Sequence, residues 1–367
     1  SFYAAIMHYK DNVTEYALSC QGPMVAFNVI INASFAVLIP AGILLIGPEH
    51  YSEFLLDLIF YILFTSGTAG ILNKILFSGT HRMMAQEAVR RIDSLLAEPS
   101  VVESTLARIP DRNDVEFQDV TFTYPGGKTP ALTHLSFQIP EGKTVALVGA
   151  SGSGKTTAAA LIPRFWDAQE GAVCIGGVPV PQIPKYELMN RIAFVFQDSR
   201  LLKASILENV RASRPDATRE QVMEALRAAQ CDDILEKLPK GMDTVLGSKG
   251  VYLSGGEQQR IALARAILKD APIVLLDEAT AFADPENEHK IQIAFERLTK
   301  GKTVLMIAHR LPTIQNADEI LVLEQGSIAE RGTHDALMER NGIYASMWRD
   351  YQTSVAWNIG KETHHAS

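Results

Sequence analysis

The stretch TVALVGASGSGKTT, Thr144 to Thr157, limits the fold of this chain more than any other. A short apolar run of strand character leads straight into a glycine-rich loop and then into residues that open a helix. Gly149, Gly152 and Gly154 let the loop curl so that its N–H groups converge on phosphate oxygens, with Ala150, Ser151 and Ser153 filling the curl between them. A helix starting near Lys155 adds its positive end. In this pattern Lys155 reaches the β- and γ-phosphates of a nucleotide, the Thr156 hydroxyl ligates Mg²⁺, and Thr157 completes the nucleotide-binding set. A loop of this kind between a buried strand and a helix predicts an α/β P-loop domain.

The chain from Val115 to about Arg349 agrees with that class. Short apolar runs such as IAFVFQ, IVLLDEA and TVLMIAH alternate with helical stretches, which predicts a largely parallel sheet. Residues 115–140 lack intervening helices and predict a small antiparallel sheet beside it. IVLLDEAT ends a buried strand in two carboxylates, Asp277 and Glu278. Neighbouring strand residues point apart, so the two take different tasks. Asp277 fits Mg²⁺, directly or through its outer shell, and Glu278 fits the water that meets the γ-phosphate, as general base or water positioner. Capping of the next helix is the plainer use of the same pair.

YLSGGEQQR, Tyr252 to Arg260, is a second anion grip. Ser254, Gly255 and Gly256 open a helical run and present backbone N–H groups roughly a hundred residues after the first cradle. A single nucleotide held by a single domain has no use for both.

The first hundred residues are of another kind. Tyr16 to Pro48 and Leu58 to Asn73 carry no charged residue, and each run, with its flanks, supplies the roughly 20 apolar residues of a bilayer span. Buried core helices are the alternative. The turn between them is expected at Gly47 to Glu53, with Glu49 and Glu53 and no Lys or Arg, whereas Lys74, Arg82, Arg90 and Arg91 follow the second run. The basic side therefore continues into the P-loop domain and is expected in the cytoplasm. Asn28 and Asn32 share a helix face that either lines a path or glues helices together. Thr65 to Gly70 offers small residues for close helix contact, and Pro40 is expected to kink the first span.

The net charge of −8 and the lack of a basic stripe argue against a nucleic-acid partner. Cys20, Cys174 and Cys231 are far apart, without metal-ligand spacing, and read as reduced thiols. The chain opens on SFYAAIMHYKDNV with no signal-peptide pattern and no initiator methionine, which suggests a piece of something longer.

P-loop, LSGGE, LLDEA and a histidine after VLMIA, in this order and spacing, resemble the nucleotide-binding domain of an ABC transporter. With the apolar runs, the chain resembles the C-terminal part of an exporter-type half-transporter: a transmembrane hairpin from a six-helix membrane domain, then an α/β ATPase domain with small antiparallel and helical subdomains. The resemblance places membrane domain at 1–98, with spans about 18–46 and 54–73 and a cytoplasmic helix 74–98. A linker at 99–113, the ATPase domain at 114–350 and a tail at 351–367 follow. It implies a multi-pass protein of the cell membrane with its ATPase domain in the cytoplasm.

The resemblance also assigns residues. Tyr124 in FTYPG stacks on adenine, Gln197 senses Mg²⁺ and water and faces the membrane domain, Asp284 lies in a loop that crosses to the partner subunit, and His309 contacts the γ-phosphate. Ser254, Gly255, Gly256 and Glu257 grip the γ-phosphate held by a second half-transporter, identical or paralogous, so that two ATP molecules are shared between two chains. Glu257 stands where glutamine is commonest and Ser248 where glutamate is frequent. The first departure is expected to be tolerated; the second puts one contact to the partner's membrane loops in doubt. Function on this reading is ATP hydrolysis coupled to export of an unidentified solute. Uptake of a metal chelate by an exporter-shaped protein, or a soluble non-transport ABC ATPase, are the alternatives.

Overall fold

The computed structural model describes residues 2–45, 51–97, 106–196, 200–247, 251–277, 285–308 and 311–364. Its contacts divide the chain into two units, Ser1–Val101 and Val102–Ser367.

The first unit holds two long helices, α1 (Phe2–Leu45) and α2 (Tyr51–Leu96). Tyr51, Ser52 and Glu53 thus open the second helix, where a turn was expected, so the connection is shorter than the sequence suggested. Helix α1 runs through both Pro23 and Pro40. Among the described residues Phe54–Leu72 is long and apolar enough to cross a membrane, and Ala36–Leu45 forms a shorter apolar stretch. Polar side chains here turn onto their own helix: Asn28 Nδ2 donates to Met24 O at 2.9 Å, Thr65 to Tyr61 O at 2.7 Å and Thr68 to Phe64 O at 2.9 Å. Such bonds satisfy hydroxyls and amides without water. Asn32 lies outside the residues whose side chains are described. The close approach of the helices is at Gly42, where a Cβ would fall 2.5 Å from Leu58 Cδ1, while Gly67 and Gly70 face open space. Gly42 is a small residue at this contact that the sequence pattern did not single out.

The second unit is built on two sheets. The smaller is antiparallel, β1 (Val115–Phe122), β2 (Leu132–Ile139), β4 (Glu170–Ile175) and β5 (Val178–Pro179), in the order β2-β1-β4-β5. The larger contains β3 (Thr144–Val148), β6 (Ile192–Val195), β7 (Ile273–Asp277), β8 (Thr303–Ile307), β9 (Glu319–Glu324) and β10 (Ser327–Gly332). Its order is β10-β9-β3-β8-β7-β6, parallel throughout except for the β9–β10 hairpin. Strands β3 and β7 are apolar at consecutive positions because both their faces are covered.

Alternate residues of these strands go to different cores. Val145, Leu147, Ile273 and Leu275 join a cluster with the small sheet and with Ala158, Ala159 and Leu161 of α3 (Lys155–Leu161). Helix α4 (Lys185–Arg191) adds Leu188 to it. On the other face, Val274, Leu276 and Val304 meet α5 (Ile206–Arg211), α6 (Arg219–Ala228), α7 (Asp232–Lys237), α8 (Gly255–Lys269) and α9 (Pro285–Thr299). Ala146 and Val148 meet α10 (His334–Arg340) and α11 (Ile343–His364). Residues 351–364 of the expected tail continue α11. The period of two along each strand thus puts the helix that follows the glycine loop and the helix that follows LSGG on opposite faces of one sheet.

Candidate functional site

The glycine loop leaves β3 at its carboxyl end, the edge where open α/β sheets bind ligands. Two of its glycines have steric reasons. Gly149 has φ 148° and Gly154 φ 102°. A Cβ on Gly149 would run into Leu323 O, and one on Gly154 would lie 2.6 Å from Ala131 O and 2.7 Å from Leu132 Cδ2. The loop is pinned by Ser153 N donating to Ala150 O at 3.2 Å and Gly326 N donating to Ser153 O at 3.1 Å. Lys155 is buried, and its Nζ donates to Gly149 O at 3.0 Å, Ala150 O at 2.8 Å and Ser153 Oγ at 3.4 Å. The ammonium therefore sits inside the curl of the loop. Ser151, Gly152 and Thr156 are exposed on it, whereas Thr157 is buried and shares a 3.1 Å hydrogen bond with Tyr124 Oη.

Asp277 ends β7 and is only 5 % exposed. It pairs with Ile307 of β8, which on its other side pairs with Leu147, the residue two before Gly149. Asp277 and the loop thus leave the sheet at one level. In the chain, Gln197 comes two residues after the end of β6, Glu278 one after β7 and His309 two after β8. Gln197, Ser248, Glu278, Asp284 and His309 themselves lie outside the described residues. Among the described residues no cluster of three His, Cys, Asp or Glu is set to hold a metal ion. An exposed hydroxyl, Thr156, with a buried carboxylate, Asp277, instead suits Mg²⁺ bound mainly through phosphates and water.

Ser254 is the N-cap of α8. Its Oγ accepts from Glu257 N at 3.3 Å, and the Glu257 carboxylate accepts from Ser254 N at 2.8 Å. This reciprocal box gives Glu257 a structural task that the sequence reading missed, although S-x-x-E was legible as its signature. Glu257 also pairs with Lys237 at 3.5 Å. Ser254 and Gly255 stay exposed and Gly256 is buried. The cysteines are free, and burial pushes the Cys231 thiol up to about 12, leaving it unreactive.

The second unit thus joins a P-loop and an exposed serine-capped helix on opposite faces of one sheet. Residues 132–281 match the sequence model of the ABC transporter family. The chain is 44 % identical over 261 residues to an ATP-dependent lipid A-core flippase of Chromobacterium violaceum, covering 71 % of this chain and 45 % of that protein. It is 50 % identical over 235 residues to the flippase of that name in Escherichia coli, covering 64 % and 40 %. A bacterial Atm1-family ABC exporter solved with ATP bound superposes with a TM-score of 0.67 at 35 % identity, over 80 % of this chain and 52 % of that one. The chain resembles exporter-type ABC transporters, and it spans about half or less of the length of these relatives.

Proposed function

We propose that the chain is the ATP-binding part and adjoining membrane helices of a half-transporter that hydrolyses ATP at an interface shared by two chains and drives export. The observation that carries this reading is the placement of α3 and α8 on opposite faces of the large sheet. Lys155 and Ser254 then serve two different nucleotides, each completed by a second chain. ATP favours the paired state only through its greater affinity for it, so binding closes the pair and hydrolysis releases it.

In this reading the loop N–H groups and Lys155 hold the β- and γ-phosphates, Tyr124 takes the base, and Ser254 with Gly255 and Gly256 takes the partner's γ-phosphate. Glu278 accepts the proton of a water whose oxygen attacks the γ-phosphorus as the bond to ADP breaks. His309 steadies the γ-phosphate, and Gln197 and Asp284 carry the state of the site toward the membrane domain and the partner. Thr156 and Asp277 would hold Mg²⁺, which supplies charge neutralisation at the phosphates when bound. The relatives named as flippases and the exporter structure support outward transport, and a lipid A-core-type amphiphile is the first cargo to test.

Two measurements test the shared site. Lys155→Ala should weaken ATP binding by about tenfold or more, since it removes charge-assisted bonds to phosphate. Turnover of the wild-type chain in detergent should fall on dilution and on Ser254→Ala. Turnover that ignores both dilution and Ser254→Ala would overturn the proposal.

A further inference from the structure

The turn from Arg164 to Gln169, which follows α3, is tied to the end of β1 just before Tyr124. Gln169 clamps the Thr123 backbone with two bonds: its Oε1 accepts from Thr123 N at 2.7 Å and its Nε2 donates to Thr123 O at 2.8 Å. Gln169 N also donates to Thr121 O at 3.2 Å. Trp166 meets the Tyr124 ring edge to face, centroids 5.5 Å apart with planes at 86°. The turn itself is braced, because Arg164 Nε and Nη2 donate to the two carboxylate oxygens of Asp167 at 2.7 and 3.1 Å. Arg164 has φ 58°, a left-handed backbone that an arginine adopts only when its surroundings impose it.

From its other sides Tyr124 is held by Phe122, centroids 4.9 Å apart at 84°, and by the hydrogen bond to Thr157. Yet the residue remains 38 % exposed. A core ring would be covered, and a ring of no use on the surface would not be fastened by three neighbours and a backbone clamp. This ring is fastened and left open.

We propose that the Arg164–Gln169 turn positions the base of the bound nucleotide, with Trp166 and Gln169 acting through Tyr124 to keep its ring as a preformed stacking surface. The proposal rests on the nucleotide reading of the P-loop given above. A surface ordered before binding loses less freedom when the ligand arrives, and that gain appears as affinity. Neither residue acts on the phosphates, so their effect is confined to ligands that carry a base.

The test compares binding of Mg-ATP with that of inorganic tripolyphosphate to the full chain. Trp166→Ala and Gln169→Ala should each weaken ATP binding about five- to tenfold, the loss of one aromatic contact or one pair of hydrogen bonds. Tripolyphosphate binding should be unchanged, the KM for ATP should rise with kcat kept, and Trp166→Phe should recover most of the affinity. Equal weakening of both ligands, or unaltered ATP binding, overturns the proposal. Gln169 is exposed, so its substitution leaves the core intact should Trp166→Ala fold poorly. Lys155→Ala separates the two readings: it should weaken both ligands, and if it weakens neither, the P-loop reading is what fails.

Discussion

Glu278→Gln should lower steady-state ATP turnover by about 100-fold or more while leaving ATP binding in place, the range for losing a positioned general base. Glu278 follows Asp277, a buried carboxylate at the sheet edge from which the glycine loop also springs. Glutamine keeps the size of glutamate and its capacity to orient water, but it does not take up a proton at neutral pH. On the proposed reading Lys155 and the loop backbone grip the phosphates, so affinity should be spared. Labelled ATP binding and phosphate release, measured on the same preparation, check both halves. Near-normal turnover would remove Glu278 as the base.

Asp233→Asn should destabilise the second unit by about 3 kcal/mol, the lower end of the cost of leaving a buried charge without its partner. Arg260, which closes the YLSGGEQQR stretch, is 1 % exposed. Its Nη1 and Nη2 donate to Asp233 at 2.6 and 3.1 Å, Nη1 also reaches Gln230 O, and Lys290 adds a 3.1 Å bond to the same carboxylate. One carboxylate thus joins α7, α8 and α9 beneath the exposed Ser254 end. Asparagine leaves a buried guanidinium without its counter-charge. A loss of this size lowers the melting temperature by about 6–12 °C in a unit of this length.

The same site sets a pH dependence. Partial burial raises the Asp233 carboxyl, but the hydrogen bonds and charges of Arg260 and Lys290 outweigh it and hold the group at about 2, below the ordinary 3.8. A depressed acid stabilises the fold above its unfolded value and loses that contribution as pH falls through the folded one. The displacement corresponds to about 2 kcal/mol. The gap between wild type and Asp233→Asn should therefore hold steady down to about pH 5 and narrow below about pH 4. A melting-temperature gap of the same size at pH 3 and pH 7 would contradict the ion-pair account.

Much of the second unit was legible in the sequence because its signals are local. The glycine spacing around Lys155, the unbroken apolar run before Asp277 and the helix after Ser254 each follow from a few adjacent residues. The antiparallel sheet from residue 115 and the parallel sheet beside it are read correctly from the alternation of short strands and helices. Other features were missed for want of contact information. Gln169 lies 46 residues from Thr123, and Trp166 is one of several aromatics with no pattern to single it out. Gly42 gave no sign that Leu58 would press against it.

The sequence by itself determined the glycine loop at the sheet edge, because its glycines, lysine and hydroxyls stand in fixed order along one short run. Only the tertiary structure decided that α3 and α8 lie on opposite faces and that Tyr124 is braced by a turn about forty residues further on. Those outcomes depend on which faces of distant elements bury together, and burial is a property of the packed whole that no short run of residues carries.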